Sequence, residues 1–278
     1  MDLNTVASVV ETPTRAQQAG WEPGDTWLAG GTWLFSEPQP RAQRLIDLTG
    51  FGWPPLRIGA PGLEIAATCT LAELVEAETP RQWTAAPLIG QCCRALLGSF
   101  KVWNAATMGG NICLSLPAGP MISLAAALDG VCTVWTPEGG ERHVGCVDFV
   151  TGPQRNVLQP GELLRSVTLP DETLRCRTAF RQISLSPHGR SAALLIGRRA
   201  PGDGAFVLTV TASTVRPIQL RFSGLPGPAE LLAAVEQAIP PELYHHDVHG
   251  APAWRRHMTV RFAEEIRREL ADEGGVRR

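Results

Sequence analysis

The sequence is short of several features that mark common classes of protein. Its 278 residues include one lysine and one tyrosine, and its formal net charge is only −2. A nearly neutral chain lacks the concentrated positive charge that binds nucleic acid or an anionic membrane. Nearly all its cations are arginines, and codon bias in a GC-rich genome explains this better than selection for guanidinium chemistry.

Long apolar runs are also missing. No stretch approaches the roughly 20 apolar residues that cross a bilayer. The first residues, Met1 to Thr5, lack the basic region and apolar core of a secretion signal. We therefore expect a cytoplasmic protein without a membrane span. Hydrophobic residues make up 44% of the chain and charged residues 19%, which is typical of a folded globular protein.

The seven cysteines lack the short spacings of a metal centre. Zinc sites and iron–sulfur clusters use thiolates in patterns such as C-x-x-C, whereas here only Cys92 and Cys93 are close in sequence. Adjacent residues on a helix point about 100° apart, so this pair suits neither kind of site. The odd number and apolar surroundings favour buried, reduced thiols, and we expect no metal bound by this chain.

Two glycine pairs are the most informative features that the sequence does contain. They lie in the runs Leu28-Ala29-Gly30-Gly31-Thr32-Trp33 and Thr107-Met108-Gly109-Gly110-Asn111. Glycine adopts positive φ and lets the backbone come close to a ligand, and successive exposed N–H groups form a concave anion site. Two such turns facing each other would hold the two phosphates of a dinucleotide.

Spacing alone leaves a ligand site and a pair of ordinary tight turns equally open. Neither pair has the G-x-G-x-x-G spacing of a Rossmann fold, and the chain contains no G-x-x-x-x-G-K-[ST] phosphate loop. The chain has 28 glycines, so some pairs are expected without any function.

Two other groups of polar residues are weaker candidates. His245, His246 and His249 suggest a metal site, but they lie in a polar loop that offers little outer support, so we favour a solvated loop. Ser184 and His188 lack the G-x-S-x-G turn of a hydrolase nucleophile.

Hydrophobic patterning predicts an α+β fold in two parts. In residues 1–170, strands are predicted at 4–10, 26–29, 44–48, 56–58, 63–67, 131–135, 141–144 and 163–169, with helices at 12–20, 85–97, 122–128 and after the capping residue Thr70. In residues 171–278, strands at 178–185, 192–197, 206–213 and 218–222 precede helices at 228–239 and 252–270. Strands followed by helices are typical of an α+β domain.

The residues around the glycine pairs carry a family resemblance. Together with those two runs, the segments Ala125-Ala126-Ala127-Leu128-Asp129-Gly130, Gly161-Glu162-Leu163-Leu164 and Trp254-Arg255-Arg256-His257-Met258 resemble, in order and spacing, the flavin-binding subunit of the molybdenum hydroxylases. That family includes the medium subunits of carbon monoxide dehydrogenase and bacterial xanthine dehydrogenase. The resemblance extends over nearly the whole chain.

The resemblance implies an FAD site between two small α/β subdomains of the PCMH type, followed by a C-terminal α+β domain. By position, the first turn would hold the diphosphate through backbone N–H groups and the second would add Thr107. Leu163 matches a position that packs on the flavin. Arg181 matches a basic position near the isoalloxazine ring, where a positive charge favours the reduced, anionic flavin. The implied FAD contacts are Leu28, Ala29, Gly30, Gly31, Thr32, Trp33, Thr107, Met108, Gly109, Gly110, Asn111, Leu163 and Arg181.

Three positions depart from the family pattern. Trp33 follows the first turn where an acidic residue is common, Trp103 replaces an arginine before the second turn, and Pro120 replaces an aspartate that contacts the adenosine half. These changes predict altered nucleotide contacts.

The leading hypothesis is therefore the FAD-containing electron-transfer subunit of a molybdenum hydroxylase, without a catalytic side chain of its own. Its implied partners are a large molybdenum-cofactor subunit and a small iron–sulfur subunit, arranged as a dimer of heterotrimers. Two alternatives stay open: a stand-alone flavin oxidase of the same fold, and an assembly subunit that has lost FAD. The oxidases often bind their flavin covalently through His or Cys, and neither residue lies beside Gly30 and Gly31.

Overall fold

The computed structural model describes residues 3–15, 20–202 and 204–271. Its strands are β1 (Ser8–Val10), β2 (Asp25–Leu28), β3 (Arg44–Asp47), β4 (Leu56–Gly59), β5 (Gly62–Ala66), β6 (Val131–Trp135), β7 (Glu141–Gly145), β8 (Val150–Gly152), β9 (Arg155–Asn156), β10 (Leu163–Pro170), β11 (Arg177–Ile183), β12 (Ala193–Arg199), β13 (Phe206–Thr211) and β14 (Ile218–Phe222). Its α-helices are α1 (Leu71–Val75), α2 (Pro87–Ala95), α3 (Phe100–Trp103), α4 (Met108–Leu114), α5 (Pro120–Ala127), α6 (Cys146–Phe149), α7 (Asp171–Leu174), α8 (Pro228–Ala238) and α9 (Pro252–Ala271).

The first glycine turn follows a strand of a small parallel sheet. This sheet has the order β1-β3-β2, with both neighbours of β3 parallel to it. Asp25 on β2 and Arg44 on β3 lie opposite each other, and their side chains form an ion pair at 2.5 Å. The carboxyl ends of parallel strands are where open sheets place their ligands. Gly30 and Gly31 come directly after β2, at that end.

A larger antiparallel sheet carries the main core. Its order is β4-β5-β10-β6-β7, so β10 is its central strand. Helices α2, α4 and α5 contribute to the cluster of buried residues that this sheet shares, which includes Leu63, Ile65, Ile112, Leu124 and Val167. As the central strand, β10 is buried at residues 163–167 and at Leu169, including the polar residues Arg165 and Ser166.

The C-terminal sheet is buried on both faces. It is the antiparallel meander β11-β12-β13-β14. On β12, Leu194 and Ile196 belong to the main core, whereas Ala193 and Leu195 pack with helices α8 and α9 in a second core. Alternate residues of a strand point to opposite faces, so this sheet separates the two cores. On the last helix, side chains four residues apart are buried against this sheet, namely Met258, Phe262, Ile266 and Leu270.

The α+β class is confirmed, and the predicted strands from residue 26 onward match observed strands within a few residues. The Thr70 capping box is present, because the Thr70 hydroxyl accepts a bond from the Glu73 N–H and the Glu73 carboxylate accepts one from the Thr70 N–H. The first strand is shorter than predicted, and the helix predicted at 12–20 falls largely on residues 16–19, outside the described residues. The domain boundary at Pro170, the last residue of β10, stays a prediction.

A network around Asp129 joins the first part of the chain to the C-terminal sheet. Asp129 follows α5 with a φ of 51° and accepts hydrogen bonds from Arg198 on β12, and from Arg221 and Gln219 on β14. Burial raises the pKa of the Asp129 carboxyl, but the bond from Arg221 and the charge of Arg198 outweigh it, so the pKa is lowered overall. Because the Arg198 side chain is only 7% exposed, losing its anion would leave a buried charge.

We predict that Asp129→Asn lowers the free energy of unfolding at pH 7 by about 1–3 kcal/mol, less than for a fully buried pair. Asn tolerates the left-handed backbone, so the change removes mainly charge. A lowered pKa in the folded state means that the stabilisation is present above the unfolded value of about 3.9 and is lost as the pH falls below it.

Urea unfolding at pH 7 and at a series of pH values below 4 measures this change in the free energy of unfolding. The difference between wild type and Asp129→Asn should shrink with acid, while the exposed turn variant Glu138→Gln should match wild type throughout. Equal stability of the Asp129→Asn variant at pH 7 would contradict the proposed role of this network.

Candidate functional site

A cleft of about 820 Å³ lies between the two glycine turns and the C-terminal sheet. This volume falls within the roughly 300–1,000 Å³ of small-molecule and cofactor sites. The first turn forms one wall with residues 28–34, and the second turn with the loop up to Pro120 forms another. Leu96, Leu97 and Val102 add an apolar side, and residues 188–191 with His249 close the C-terminal side.

The two turns are held together by a close backbone approach. A Cβ built on Gly30 would lie 1.5 Å from the carbonyl oxygen of Ala105, two residues before Thr107. No side chain fits in that gap, so only glycine lets the first turn reach the chain that leads into the second. Gly31 has a φ of 69°, a conformation that other residues rarely adopt, and its missing Cβ makes room for the Phe35 ring.

The first turn offers a row of unused donors. The N–H groups of Gly30, Gly31, Thr32, Trp33 and Leu34 make no hydrogen bond to any residue that the structure describes. All five residues line the cleft. Backbone N–H groups in folded proteins are nearly always paired, with protein, water or a ligand. The first turn therefore offers five unpaired donors along the cleft, as an anion site requires, and its binding of an anion stays a prediction.

The second turn does not form a matching site, which corrects the prediction of two facing anion cradles. The Met108 N–H donates to the Cys69 carbonyl at 2.8 Å and the Gly109 N–H to the Ala67 carbonyl at 2.9 Å. The next two N–H groups bond to Thr107, which caps α4. These residues begin a helix rather than an open loop, so their donors are already used inside the protein.

The second turn contributes side chains and shape instead. Thr107 is 3% exposed and lines the cleft, and its Oγ1 accepts the Gly110 N–H at 3.0 Å while its own hydroxyl hydrogen is left to donate. Asn111 Oδ1 accepts the Met121 N–H at 3.0 Å, which points its amide nitrogen away from that bond. Gly109 is needed for packing, because a Cβ there would lie 2.5 Å from that of Ala67.

A buried glutamate holds the strand before the first turn. The Trp27 indole lines the cleft and donates to the Glu162 carbonyl oxygen at 3.0 Å. The Glu162 carboxylate pairs with Arg142 at 2.6 Å, and the bond from Arg142 lowers the pKa of Glu162. The segment before Leu163 thus ties the parallel sheet to the large antiparallel sheet.

The C-terminal wall depends on one buried arginine. Arg255 is 1% exposed and donates to the carbonyl oxygens of Ala192 and Ala212 at 2.5 and 2.7 Å, and to Gly250 at 3.0 Å. It also pairs with Asp247. These bonds fix the loop that presents His249 to the cleft. The interpretation of this loop as simply solvated was incomplete, since His249 lines the cleft.

The structure brings nine of the thirteen predicted FAD contacts together. The residues that line the cleft are Leu28, Ala29, Gly30, Gly31, Thr32, Trp33, Thr107, Gly110 and Asn111. Met108, Gly109 and Leu163 do not line it: Met108 and Leu163 are buried, and Gly109 packs on Ala67. Contact of any of these residues with FAD stays a prediction.

Arg181 also lies away from the cleft. Its guanidinium pairs with Glu265 at 3.0 Å and Glu269 at 2.7 Å, both on α9. Alternation on β11 explains this, because Phe180 packs against the main core while Ala179 and Ile183 face the second core. The predicted role of Arg181 beside the isoalloxazine therefore has no support from its side-chain direction.

Several lining residues were not predicted, because they are distant in sequence from the glycine pairs. They include Gln154, His188, Arg190, Ser191 and Cys113. Burial raises the pKa of the Cys113 thiol to about 12, so this thiol is neutral at pH 7.

Of the departures from the family pattern, Trp33 and Pro120 line the cleft, whereas the Trp103 indole donates to the Leu96 carbonyl.

Within the described ranges, no three His, Cys, Asp or Glu side chains are grouped so as to hold a metal ion. In the same residues, no helix has the length and apolar character required to cross a membrane.

The sequence matches known proteins over its first part. The family described as the FAD binding domain in molybdopterin dehydrogenase matches residues 4–172. A xanthine dehydrogenase of Blastobotrys adeninivorans is 27% identical over 124 residues, which is 42% of this chain and 9% of that protein. The caffeine dehydrogenase subunit beta of Pseudomonas sp. (strain CBB1) is 29% identical over 115 residues, 40% of this chain and 38% of that subunit. The matches thus span well under half of either relative.

Solved structures resemble the chain over almost its whole length. A chain of quinoline 2-oxidoreductase from Pseudomonas putida 86 has a TM-score of 0.79 and 18% identity, covering 98% of each chain. A chain of carbon monoxide dehydrogenase from Oligotropha carboxidovorans has a TM-score of 0.81 and 20% identity, covering 97% of this chain and 100% of that one. Both parts of the fold therefore occur together in known proteins.

Gly30→Ala should destabilise the protein by about 1–3 kcal/mol or more, because the added Cβ collides with the Ala105 carbonyl and the backbone has to move. Gly224→Ala is the matched control, since a Cβ there meets nothing within 4 Å. Urea unfolding of both variants measures the difference. Wild-type stability of Gly30→Ala would show that the two turns are not in contact.

Proposed function

Because the chain belongs to the family of FAD-binding domains in molybdopterin dehydrogenases, we propose that it is the electron-transfer subunit of a molybdenum-containing hydroxylase or dehydrogenase. The observation that carries this proposal for the site is the row of free N–H groups from Gly30 to Leu34 along a cleft of about 820 Å³. FAD is the cofactor of this family, and its diphosphate is an anion of the kind that such donors bind.

The cleft residues suit FAD in charge and in shape. Among the described lining residues, none carries a carboxylate, so nothing there repels a diphosphate. The Ala105 carbonyl and the Phe35 ring take the space that the missing Cβ atoms of Gly30 and Gly31 leave, so the first turn offers a ligand its backbone N–H groups. A cofactor with two flat ring systems also needs apolar surface, which Leu96, Leu97 and Leu116 provide.

Each wall has a distinct part in this proposal. The first turn holds the diphosphate through N–H groups, and the Thr107 hydroxyl and Asn111 amide nitrogen add side-chain donors from the second turn. When bound, FAD takes up electrons and passes them on, and this chemistry belongs to the cofactor. The protein positions the cofactor, and no side chain of the chain has to transfer a proton.

The partners that we propose follow from this division of labour. The substrate is oxidised at a molybdenum cofactor on a large subunit, and electrons pass through the iron–sulfur clusters of a small subunit to this chain and then to an external acceptor. The assembly is a dimer of heterotrimers in the cytoplasm. Supporting this, the caffeine dehydrogenase relative is itself named as a subunit. Co-purification of tagged protein with a molybdenum-containing chain tests it.

A stand-alone flavin oxidase is the second candidate, and the cleft gives a specific reason to test it. His188, His249 and Cys113 all line the cleft, so residues able to form a covalent flavin link are present, although none is close to the first turn in sequence. The neutral Cys113 thiol is a poor nucleophile, because the thiolate is the reactive form.

The purified protein is expected to show the visible absorption of a flavin, and acid precipitation should release all of it as FAD. Colour retained in the precipitate would indicate a covalent link and favour the oxidase. A protein that shows no flavin absorption even after incubation with FAD would favour an assembly subunit that has lost the cofactor, and would contradict the proposed function.

A further inference from the structure

Among the described residues that line the cleft, the only permanently charged side chain lies on the C-terminal wall. Among the described lining residues, Arg190 is the one arginine, and lysine, aspartate and glutamate are absent. His188 and His249 lie on the same wall. The guanidinium of arginine carries a positive charge in folded proteins. Arg190 therefore supplies the fixed charge among the described lining residues, and it is exposed.

Arg190 is free to meet a ligand. Within the described part of the chain, its guanidinium forms no ion pair and no side-chain hydrogen bond, unlike Arg181, which is held by two carboxylates. A tight turn presents it to the cleft, since the Gly189 N–H donates to the Ser186 carbonyl at 2.9 Å. Next to it, Ser191 is anchored by Gln182 at 2.8 Å.

This wall adjoins the far side of the second turn rather than the first turn. The Ala212 N–H, at the end of β13, donates to the Pro117 carbonyl at 2.8 Å. The Arg255 guanidinium donates to the carbonyl oxygens of both Ala192 and Ala212, so the start of β12 lies next to the end of β13. The loop of Pro117 leads to Gly119 and Pro120, which line the cleft. Arg190 thus lies by a part of the cleft that the free N–H groups of residues 30–34 do not define.

We infer that Arg190 lies against the isoalloxazine ring of FAD and stabilises the negative charge that the ring gains on reduction. This rests on the proposed function. The diphosphate is assigned to the first turn, so Arg190 meets either the adenosine or the isoalloxazine. Adenosine carries no negative charge, whereas the N1 and C2 carbonyl edge of the flavin becomes anionic when it is reduced. Charge complementarity selects the isoalloxazine.

Arg190 thereby takes the part that the sequence resemblance gave to Arg181. Both are arginines, but Arg190 lines the cleft and Arg181 does not. As a residue that tunes the cofactor, Arg190 should change the balance between oxidised and reduced FAD more than it changes the affinity for oxidised FAD.

The test measures the midpoint potential of bound FAD in Arg190→Met, together with the dissociation constant of oxidised FAD. Losing a charge-assisted contact should weaken binding of reduced FAD about tenfold or more relative to oxidised FAD. For a two-electron couple, tenfold corresponds to a potential lower by about 30 mV. Arg190→Lys should keep most of the wild-type potential. Arg81→Gln, on an exposed loop outside the cleft, should match wild type.

The outcomes separate this inference from the proposed function. An Arg190→Met protein that binds FAD with the wild-type potential would overturn the inference alone. Equal weakening of oxidised and reduced FAD would also overturn it, because that result would place Arg190 on the diphosphate. If wild-type protein binds no FAD, the proposed function itself fails.

Discussion

The site depends on the backbone contact between Gly30 and the Ala105 carbonyl, which brings two separate parts of the chain together. Without a Cβ at residue 30, the end of strand β2 reaches the segment before α4, and the space left between them becomes the cleft. The other anchors act around this contact. Glu162 holds Trp27 from the large sheet, and Arg255 fixes the wall that closes the cleft from the C-terminal side.

The two glycine pairs look alike in sequence but act differently. The first leaves its N–H groups without a partner among the described residues, whereas the second uses its N–H groups for bonds to Cys69, Ala67 and Thr107. Glycine permits close approach in both cases, of Gly30 to the Ala105 carbonyl and of Gly109 to the Ala67 backbone. Free donors, rather than glycines alone, therefore distinguish a binding turn from a packing turn.

Local patterns were enough to predict the α+β class and most strands and helices, because periodicity, caps and turn residues act over a few positions. The family resemblance, rather than local patterns, named nine residues that line the cleft. Local patterns missed α4, since paired glycines favour a loop over a helix in local terms. They missed Arg190 and His249 because the folded chain alone brings these residues to the cleft. Arg181 pairs with helix α9 for a similar reason, because alternation along β11 turns its side chain toward the second core, and its contact with FAD stays a prediction.

The central claim is that the N–H groups of residues 30–34 bind the diphosphate of FAD while those of the second turn serve the protein itself. Hydrogen–deuterium exchange of the apoprotein, with and without FAD, measures both turns at once. The account predicts that amides of residues 30–34 exchange rapidly without FAD and are protected by it. It predicts that amides 108–111 are protected in both states. Protection by FAD confined to residues 108–111, with residues 30–34 unchanged, would contradict the account.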